Sequence, residues 1–309
     1  MNARSAEKEE GGRECRSPVG ARAVSLQVPM TSASGGGHGS KDKRLAIRPD
    51  SEDDSVVVKP LVESDRRTGV ELAFYAHVGS GAAAEEARAL AGAAAVERLS
   101  CLAAERAALG ALVPRLRGVR KNGEGLVELR LENQARGMGR VNAMDVKIGV
   151  QSWDDDAREE VKQRKKAKHH RQMACGLNLD GMRLADGRRR NKADGHAAMD
   201  RVGWLSAFRG FFSEFCSDCD DREALLGAIR TRLVAIRDWQ MRQRAVRLYQ
   251  SSILIMWDGD VGPDSLRVSM IDFAHATPMS GDGDERDDGY LFGINNLIAT
   301  VQVVLREEE

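Results

Sequence analysis

Four groups of residues have the types and spacing to do chemistry on phosphate. In Asp145-Val146-Lys147-Ile148-Gly149 an acid and a base stand two apart on a segment that reads as a strand, so both side chains point to one face. An aspartate there can accept a hydroxyl hydrogen bond or orient an attacking alcohol, while Lys147 can neutralise charge on a transferring phosphoryl group. Asp272 directly follows the apolar run Met270-Ile271, where a strand would leave the core. A carboxylate held there suits Mg²⁺, which takes one or two protein carboxylates and completes its shell with phosphate oxygens. Lys59 ends the run Val56-Val57-Val58 and Glu71 begins the next helical pattern, and such a Lys–Glu pair can hold nucleotide phosphates. Finally, Lys162, Arg164, Lys165, Lys166, Lys168 and Arg171 fall within one short window. At 3.6 residues per turn, Arg164 or Lys165, Lys168 and Arg171 share a helix face, which fits a ligand bearing several phosphates. Taken singly, each group has a plainer reading: an exposed ion pair, a turn-opening aspartate, or a solvated basic run of the nuclear-localisation type.

The elements that must position these groups follow from pattern. Val56 to Lys59 reads as a strand stopping at Pro60, and a helical pattern runs from Glu71 to His77. Residues 82–110 are Ala-rich with Glu and Arg interspersed, a composition that favours helix. Gly125–Leu131 alternates as a strand, ends at Glu132-Asn133, and is followed by a second strand over Val141–Ile148. A basic helix is expected from Asp156 to about Gln172, with a polar loop carrying Arg188-Arg189-Arg190 beyond it. Residues 222–248 form the clearest amphipathic helix, through Leu226, Ile229, Leu233 and Ile236. Ser251–Trp257 and Arg267–Phe273 are strands joined by Asp258-Gly259-Asp260 and Gly262-Pro263, a hairpin by turn chemistry, and a last helix runs from about Gly289 to Leu305. Strands and helices do not alternate as in a parallel sheet, so the class is α+β.

Composition narrows the function. Lys plus Arg and Asp plus Glu each number 47 among 309 residues, so no global field draws the chain to nucleic acid or membrane, and any polyanion site must be local. No apolar run reaches the roughly 20 residues of a membrane helix, and the charged N-terminus does not read as a secretory signal. Five scattered cysteines argue for a reducing compartment, cytoplasm or nucleus, and the C-x-x-C at Cys216 and Cys219 has no second pair to complete a zinc site. No G-x-x-x-x-G-K-[ST] loop and no G-x-S-x-G elbow occur, which removes the main support for P-loop and α/β-hydrolase readings. Residues 1 to about 54 are rich in Ser, Gly and charge and read as a flexible tail.

In combination, these segments resemble the inositol polyphosphate kinase family, most closely its multikinase branch. The family pattern P-x-x-x-D-x-K-x-G reads here as Val141 to Gly149, its S-S-L-L strand as Ser251-Ser252-Ile253-Leu254, and I-D-F-A-H as Ile271 to His275. Flanking matches include Val58-Lys59-Pro60, Glu71 with Phe74-Tyr75, Leu131-Glu132-Asn133, Ser152-Trp153-Asp154, Gly181-Met182-Arg183, and Asp288-Gly289-Tyr290 with Gly293. The resemblance implies a bilobed kinase-like fold over 55–309, with a small β-rich lobe at about 55–131, a larger lobe at about 134–309, and a substrate helix at about 157–172.

It further implies ATP and Mg²⁺ as cofactors and direct phosphoryl transfer to a ring hydroxyl of an inositol polyphosphate. Lys59 would contact ATP phosphates, and the Glu132-Asn133 backbone would hold adenine. Asp145 would touch ribose and position the alcohol, Lys147 would contact the reacting phosphate or inositol, and Asp272 would hold the metal. His275, Arg164, Lys165 and Lys168 would face substrate phosphates, with Arg66 joining from the small lobe. A monomer acting on inositol polyphosphate, with no membrane or nucleic-acid partner, is the expectation. The alternatives are a non-catalytic inositol-phosphate scaffold, or a member of the trisphosphate 3-kinase or hexakisphosphate kinase branch. Two departures stand out: Val141 occupies the usual proline position, and the family's Q-V-x-G-H element is broken into Gln27-Val28 and Gly37-His38.

Overall fold

The computed structural model describes residues 43–280 and 285–307. Gln27-Val28, Gly37-His38 and most of the stretch read as a tail lie outside the described residues. The first part of the chain comprises strands Arg48–Pro49 (β1) and Val56–Val62 (β2), helices Arg66–Val78 (α1), Gly81–Ala91 (α2), Ala93–Arg98 (α3) and Arg106–Leu109 (α4), then strands Leu116–Lys121 (β3) and Leu126–Glu132 (β4). The strands form one antiparallel sheet in the order β1-β2-β4-β3. β1 falls inside the segment expected to be a tail, and Ile47 beside it reaches the principal cleft. β2 does not stop at Pro60. It runs on to Val62, because β1 covers only Val57 and Val58 and the missing N–H of Pro60 faces an otherwise open edge.

The Ala-rich segment is not one helix. Gly92 takes φ +84° and ψ 144°, which no helix accommodates, and splits α2 from α3; a 3₁₀ stretch over Ser100–Glu105 then precedes α4. Leu99, Leu102 and Leu109 are fully buried and fasten these short pieces beside α1.

The second part holds strand Val141–Ile148 (β5), helices Glu159–Lys168 (α5) and His170–Cys175 (α6), strands Leu177–Arg183 (β6) and Arg189–Asn191 (β7), and helices Lys192–Val202 (α7), Trp204–Phe215 (α8) and Arg222–Arg242 (α9). It closes with strands Val246–Leu248 (β8), Ser252–Asp258 (β9), Gly262–Ile271 (β10) and Ala276–Pro278 (β11), and helix Asp288–Arg306 (α10). Its main sheet is antiparallel, ordered β10-β9-β5-β6-β7. The amphipathic helix expected to reach 248 ends at Arg242, where Gln243 turns extended and its side chain bonds the backbone of Ala245 and Val246. The basic helix is two helices, broken at His169 with φ −113° and ψ 22°.

β5 is the pivot. All eight of its residues are buried, with β6 on one side and β9 on the other. Alternation divides it: Met144, Val146 and Ile148 enter the main core, while Val141 and Ala143 join Ala135, Leu254, Met256 and Ile271 in a smaller apolar cluster on the opposite face. Asp145 and Lys147 continue that second face. The proline missing at Val141 is replaced by a clasp, in which the Asp258 carboxylate accepts from the backbone N–H groups of Gly139 (2.6 Å) and Arg140 (3.1 Å).

Candidate active site

A cleft opens between the two sheets. Ile47, Val57 and Leu131 line it on the side of the first sheet, Leu254, Met256 and Ile271 on the side of the second, and residues 132–135 connect the two. Apolar walls joined by one short connecting strand of backbone suit a flat, mostly apolar ring with a few hydrogen-bonding edges. In that connection the N–H of Glu132 donates to Arg115 O (2.8 Å), and the N–H of Asn133 donates to Ser55 O (2.8 Å). The donors expected to hold adenine are therefore already used. The Gln134 N–H, in the same connection and also in the cleft lining, makes no hydrogen bond among the described residues and is open to a ligand edge beside Glu132-Asn133.

At the inner end of the cleft four charges form a chain. Lys59 Nζ donates to Glu71 Oε1 at 2.6 Å and to Asp272 Oδ1 at 2.8 Å, and Lys147 Nζ donates to Asp272 Oδ2 at 2.5 Å. Each comes from a different element: β2, α1, the turn after β10, and β5. Phe74 of α1 stacks on Phe273 at 3.8 Å between ring centroids, so the helix carrying Glu71 is fixed against the residue following Asp272. Asp272 itself sits at φ +64°, a left-handed conformation that aspartate tolerates and that turns its carboxylate back onto the two lysines.

Burial works against every charge here, and pairing wins. Desolvation disfavours the Asp272 carboxylate, yet Lys147 and Lys59 hold it well below the usual carboxylate range. Desolvation likewise opposes charge on Lys59 and Lys147, and the facing carboxylates raise both above the ordinary lysine range. Asp145 is the exception. Burial, only partly offset by Lys147 and reinforced by Asp180 and Asp272, pushes it up to about 7. Both of its oxygens are enclosed and unpartnered among the described residues, although the nearby Ser252 hydroxyl eases its charge. Replacing buried ion pairs with apolar side chains is often neutral or stabilising, so such a cluster points to chemistry more than to stability.

The structure brings Asp145, Lys147 and Asp272 together, but not into one wall. Asp272, Lys59 and Glu71 line the cleft, whereas Asp145 and Lys147 lie behind them, 1% and 2% exposed, and Lys147 meets the cleft through Asp272. The expected contact of Asp145 with ribose is thus not open in this conformation. The donor set fits a divalent cation that completes its shell with phosphate oxygens: Asp272 is a cleft-lining carboxylate, and Asp145 has two uncommitted oxygens behind it.

A second polar region adjoins this one. His275, three residues after Asp272, pairs through Nδ1 with Asp154 Oδ1 at 2.8 Å, and Asp154 Oδ2 accepts from Arg66 at 2.7 Å. Arg66 also bonds Asp156 at 3.1 Å. From α5, Lys165 is half-buried; burial and then the charges of Lys168, Arg67 and Arg164 lower its pKa against the opposing Asp154. Arg164 and Lys168 are exposed, with no ion pair among the described residues. At the break after α5, burial pushes His169 down to about 4, helped by Lys192, Lys165 and Lys168. Arg66 and His275 therefore meet at Asp154, whose charge also reaches Lys165, and with Lys168 beside Lys165 these groups form a basin of mixed charge. Arg171 leaves it, making a bidentate pair with Asp200 at 2.6 Å on the outer surface.

Sequence reasoning missed Asp180 and Lys192, which pair at 2.9 Å and extend the field of Asp145 and Lys147 toward α5. Their signal was weak, because β6 and α7 were not anticipated as elements. The motif glycines have a steric cause. Gly149 has φ +99°, and a Cβ at Gly293 would stand 2.4 Å from Gly176 O, so the end of β5, the start of β6 and α10 meet backbone to backbone.

Comparison with known proteins gives the family. Mouse inositol hexakisphosphate kinase 3 is 30% identical over 204 residues, 58% of this chain and 51% of the relative. The human protein of that name is 27% identical over 217 residues, 58% and 52% of the two chains. The chain spans about half the length of the curated relatives it matches. In fold, it is similar to the S. cerevisiae inositol phosphate multikinase Ipk2 in complex with ADP and Mn²⁺, with a TM-score of 0.54 and 22% identity over 64% of this chain and 90% of that one. The inositol polyphosphate kinase family profile matches residues 128–302, more than half of the 309, a span that includes the Asp145/Lys147 strand, α5 and Asp272; the chain belongs to the inositol polyphosphate kinase family.

Proposed function

We propose that this chain transfers the γ-phosphoryl group of ATP to a ring hydroxyl of an inositol polyphosphate. The observation that carries the reading is the position of Asp272, gripped by Lys59 and Lys147 where an apolar cleft ends and the basin of Arg66, Lys165, Lys168 and His275 begins. The ADP and Mn²⁺ bound to yeast Ipk2 support a nucleotide in the cleft and a divalent cation beside it. The cation, Mg²⁺ in our reading, would be held by Asp272 with phosphate oxygens and would draw charge from the transferring group.

The chain's own residues do the rest. Adenine lies between Val57 and Leu254 with the Gln134 N–H as donor, and Lys59, steadied by Glu71, takes nucleotide phosphate oxygens. Lys147 turns from Asp272 to the transferring phosphoryl group, where a fixed ammonium in a dry site is worth far more than in water. Asp145, poised near neutrality, accepts the hydrogen of the attacking hydroxyl once that ion pair opens. Positioning and charge neutralisation supply the catalysis, and no covalent intermediate is needed.

The test is turnover of labelled ATP with inositol trisphosphate, tetrakisphosphate and hexakisphosphate in the presence of Mg²⁺, with products resolved by chromatography. A more highly phosphorylated inositol is expected from at least one of them. Tight binding of these ligands with no labelled product from any would defeat the reading and leave a scaffold.

A further inference from the structure

The Ala-rich segment has no part in the reaction above, yet it walls a second cleft. This cleft has a volume of about 440 Å³ and lies between the N-terminal turn of α1 and the α2–α3 junction. Its acidic side chains are already neutralised: Glu63 pairs with Lys121 at 2.5 Å, and Asp65 pairs with Arg67 while capping α1. Its arginines are Arg66 and Arg98. Arg98 makes no hydrogen bond or ion pair with any described residue, yet its charge is felt at Asp154, the carboxylate that joins Arg66 to His275. An arginine half-shielded from solvent beside a cleft and lacking a partner is an anion site awaiting its anion.

Arg98 is also held in place. Leu99 next to it is 1% exposed, Val96 O bonds His77 Nε2 at 2.8 Å, and Arg106 Nε at the start of α4 donates to His77 O at 2.8 Å, so the chain is tied to α1 both before and after Arg98. Ala91 and Ala93–Ala95 form the opposite wall, and their short side chains leave the space open. The cleft meets the basin of the proposed active site at Arg66, which borders both.

We infer that this cleft receives a phosphate of the substrate ring remote from the acceptor hydroxyl, held by Arg98 with Arg66, and that the Ala-rich segment thereby favours inositols crowded with phosphates. The inference rests on the proposed kinase reading. In the full chain, Arg98→Ala should weaken calorimetric binding of inositol hexakisphosphate about tenfold, as loss of one charge-assisted contact implies, and binding of inositol trisphosphate by less than about twofold. Arg98→Lys should recover part of the loss. Equal loss for the two ligands, or no loss for either, would overturn the inference while wild-type turnover stood. A wild-type chain that bound neither ligand and turned over neither would overturn both this inference and the kinase reading.

Discussion

The charge chain at Lys59, Glu71, Asp272 and Lys147 and the basic helix α5 are both strongly charged, and they are built on opposite principles. In the first, every ammonium faces a carboxylate within 2.8 Å, and the groups are almost wholly enclosed. In the second, Arg164, Lys165 and Lys168 crowd one another, two of them in open solvent. The enclosed cluster is preorganised: its orientation cost was met on folding, and ligand phosphates need only exchange for the Asp272 carboxylate. The helix keeps repulsion that Asp154 only partly offsets, and on the proposed reading a polyanion would relieve the rest. On the proposed kinase reading, the machinery for phosphoryl transfer would be internal to the protein, whereas recognition of the acceptor would be half supplied by the acceptor.

The sharpest way to break this contrast is at Asp272. Asp272→Asn should lower turnover by about a thousandfold or more, read with labelled ATP, because Lys147 loses the carboxylate that holds it, Lys59 keeps only Glu71, and a metal would lose its carboxylate. Asp272→Ala should in addition cut stability by roughly 3–5 kcal/mol in a denaturant melt, since the buried Lys147 ammonium loses its paired carboxylate while Lys59 keeps only Glu71. An alanine variant as stable as wild type would show the cluster to be wetter than its burial implies.

Asp145 sharpens the same contrast through pH. Its folded pKa is about 7, above the unfolded value of 3.8, so the folded state holds the proton more tightly between those limits. Stability therefore falls as pH rises through that window, while activity that needs the carboxylate rises with a midpoint near 7. Asp145→Asn should abolish that rise in rate, and its Tm should gain on wild type between about pH 5 and about pH 8. A wild-type rate flat across neutrality would remove Asp145 from the proton path.

How far the site could be read in advance depends on what carried it. Asp145 and Lys147 were legible because strand alternation fixes which face a side chain takes, and Asp272 because it directly follows an apolar strand within a short motif. The enclosure of Asp145 and Lys147 behind Asp272 was not, since it depends on β5 being central to a five-stranded sheet whose members β6 and β7 left no clear pattern. Arg188-Arg189-Arg190 read as a polar loop, and its middle residue begins an exposed edge strand. The cleft-lining donor at Gln134 had no signal at all, because a backbone N–H is common to nearly every residue. The Ala-rich stretch misled by composition: propensity favours helix throughout, and one glycine at φ +84° decided otherwise.

On α5 the expected effects are smaller and opposite in sense. Arg164→Ala and Lys168→Ala should each raise KM for an inositol polyphosphate about tenfold with kcat little changed, and the penalty should shrink as salt is added. A drop in kcat instead would place these side chains among the transition-state contacts.

Smallest of all, and most specific to the contrast, is Lys165→Gln. Burial and its cationic neighbours lower the pKa of Lys165, so at neutral pH the free protein carries the full cost of keeping it charged. Removing that charge should raise stability of the unliganded chain by about 0.2–0.5 kcal/mol once solvent screening of a half-exposed group is allowed for. The gain should fade as pH climbs past the lowered pKa toward the ordinary lysine value of 10.5, where wild type sheds the same charge. With saturating inositol polyphosphate the order should invert, because the ligand stabilises wild type by mass action in proportion to its tighter binding. A single charge that destabilises the free fold and stabilises the complex is what separates α5 from the enclosed cluster, and a Tm for Lys165→Gln below wild type without ligand would erase that separation.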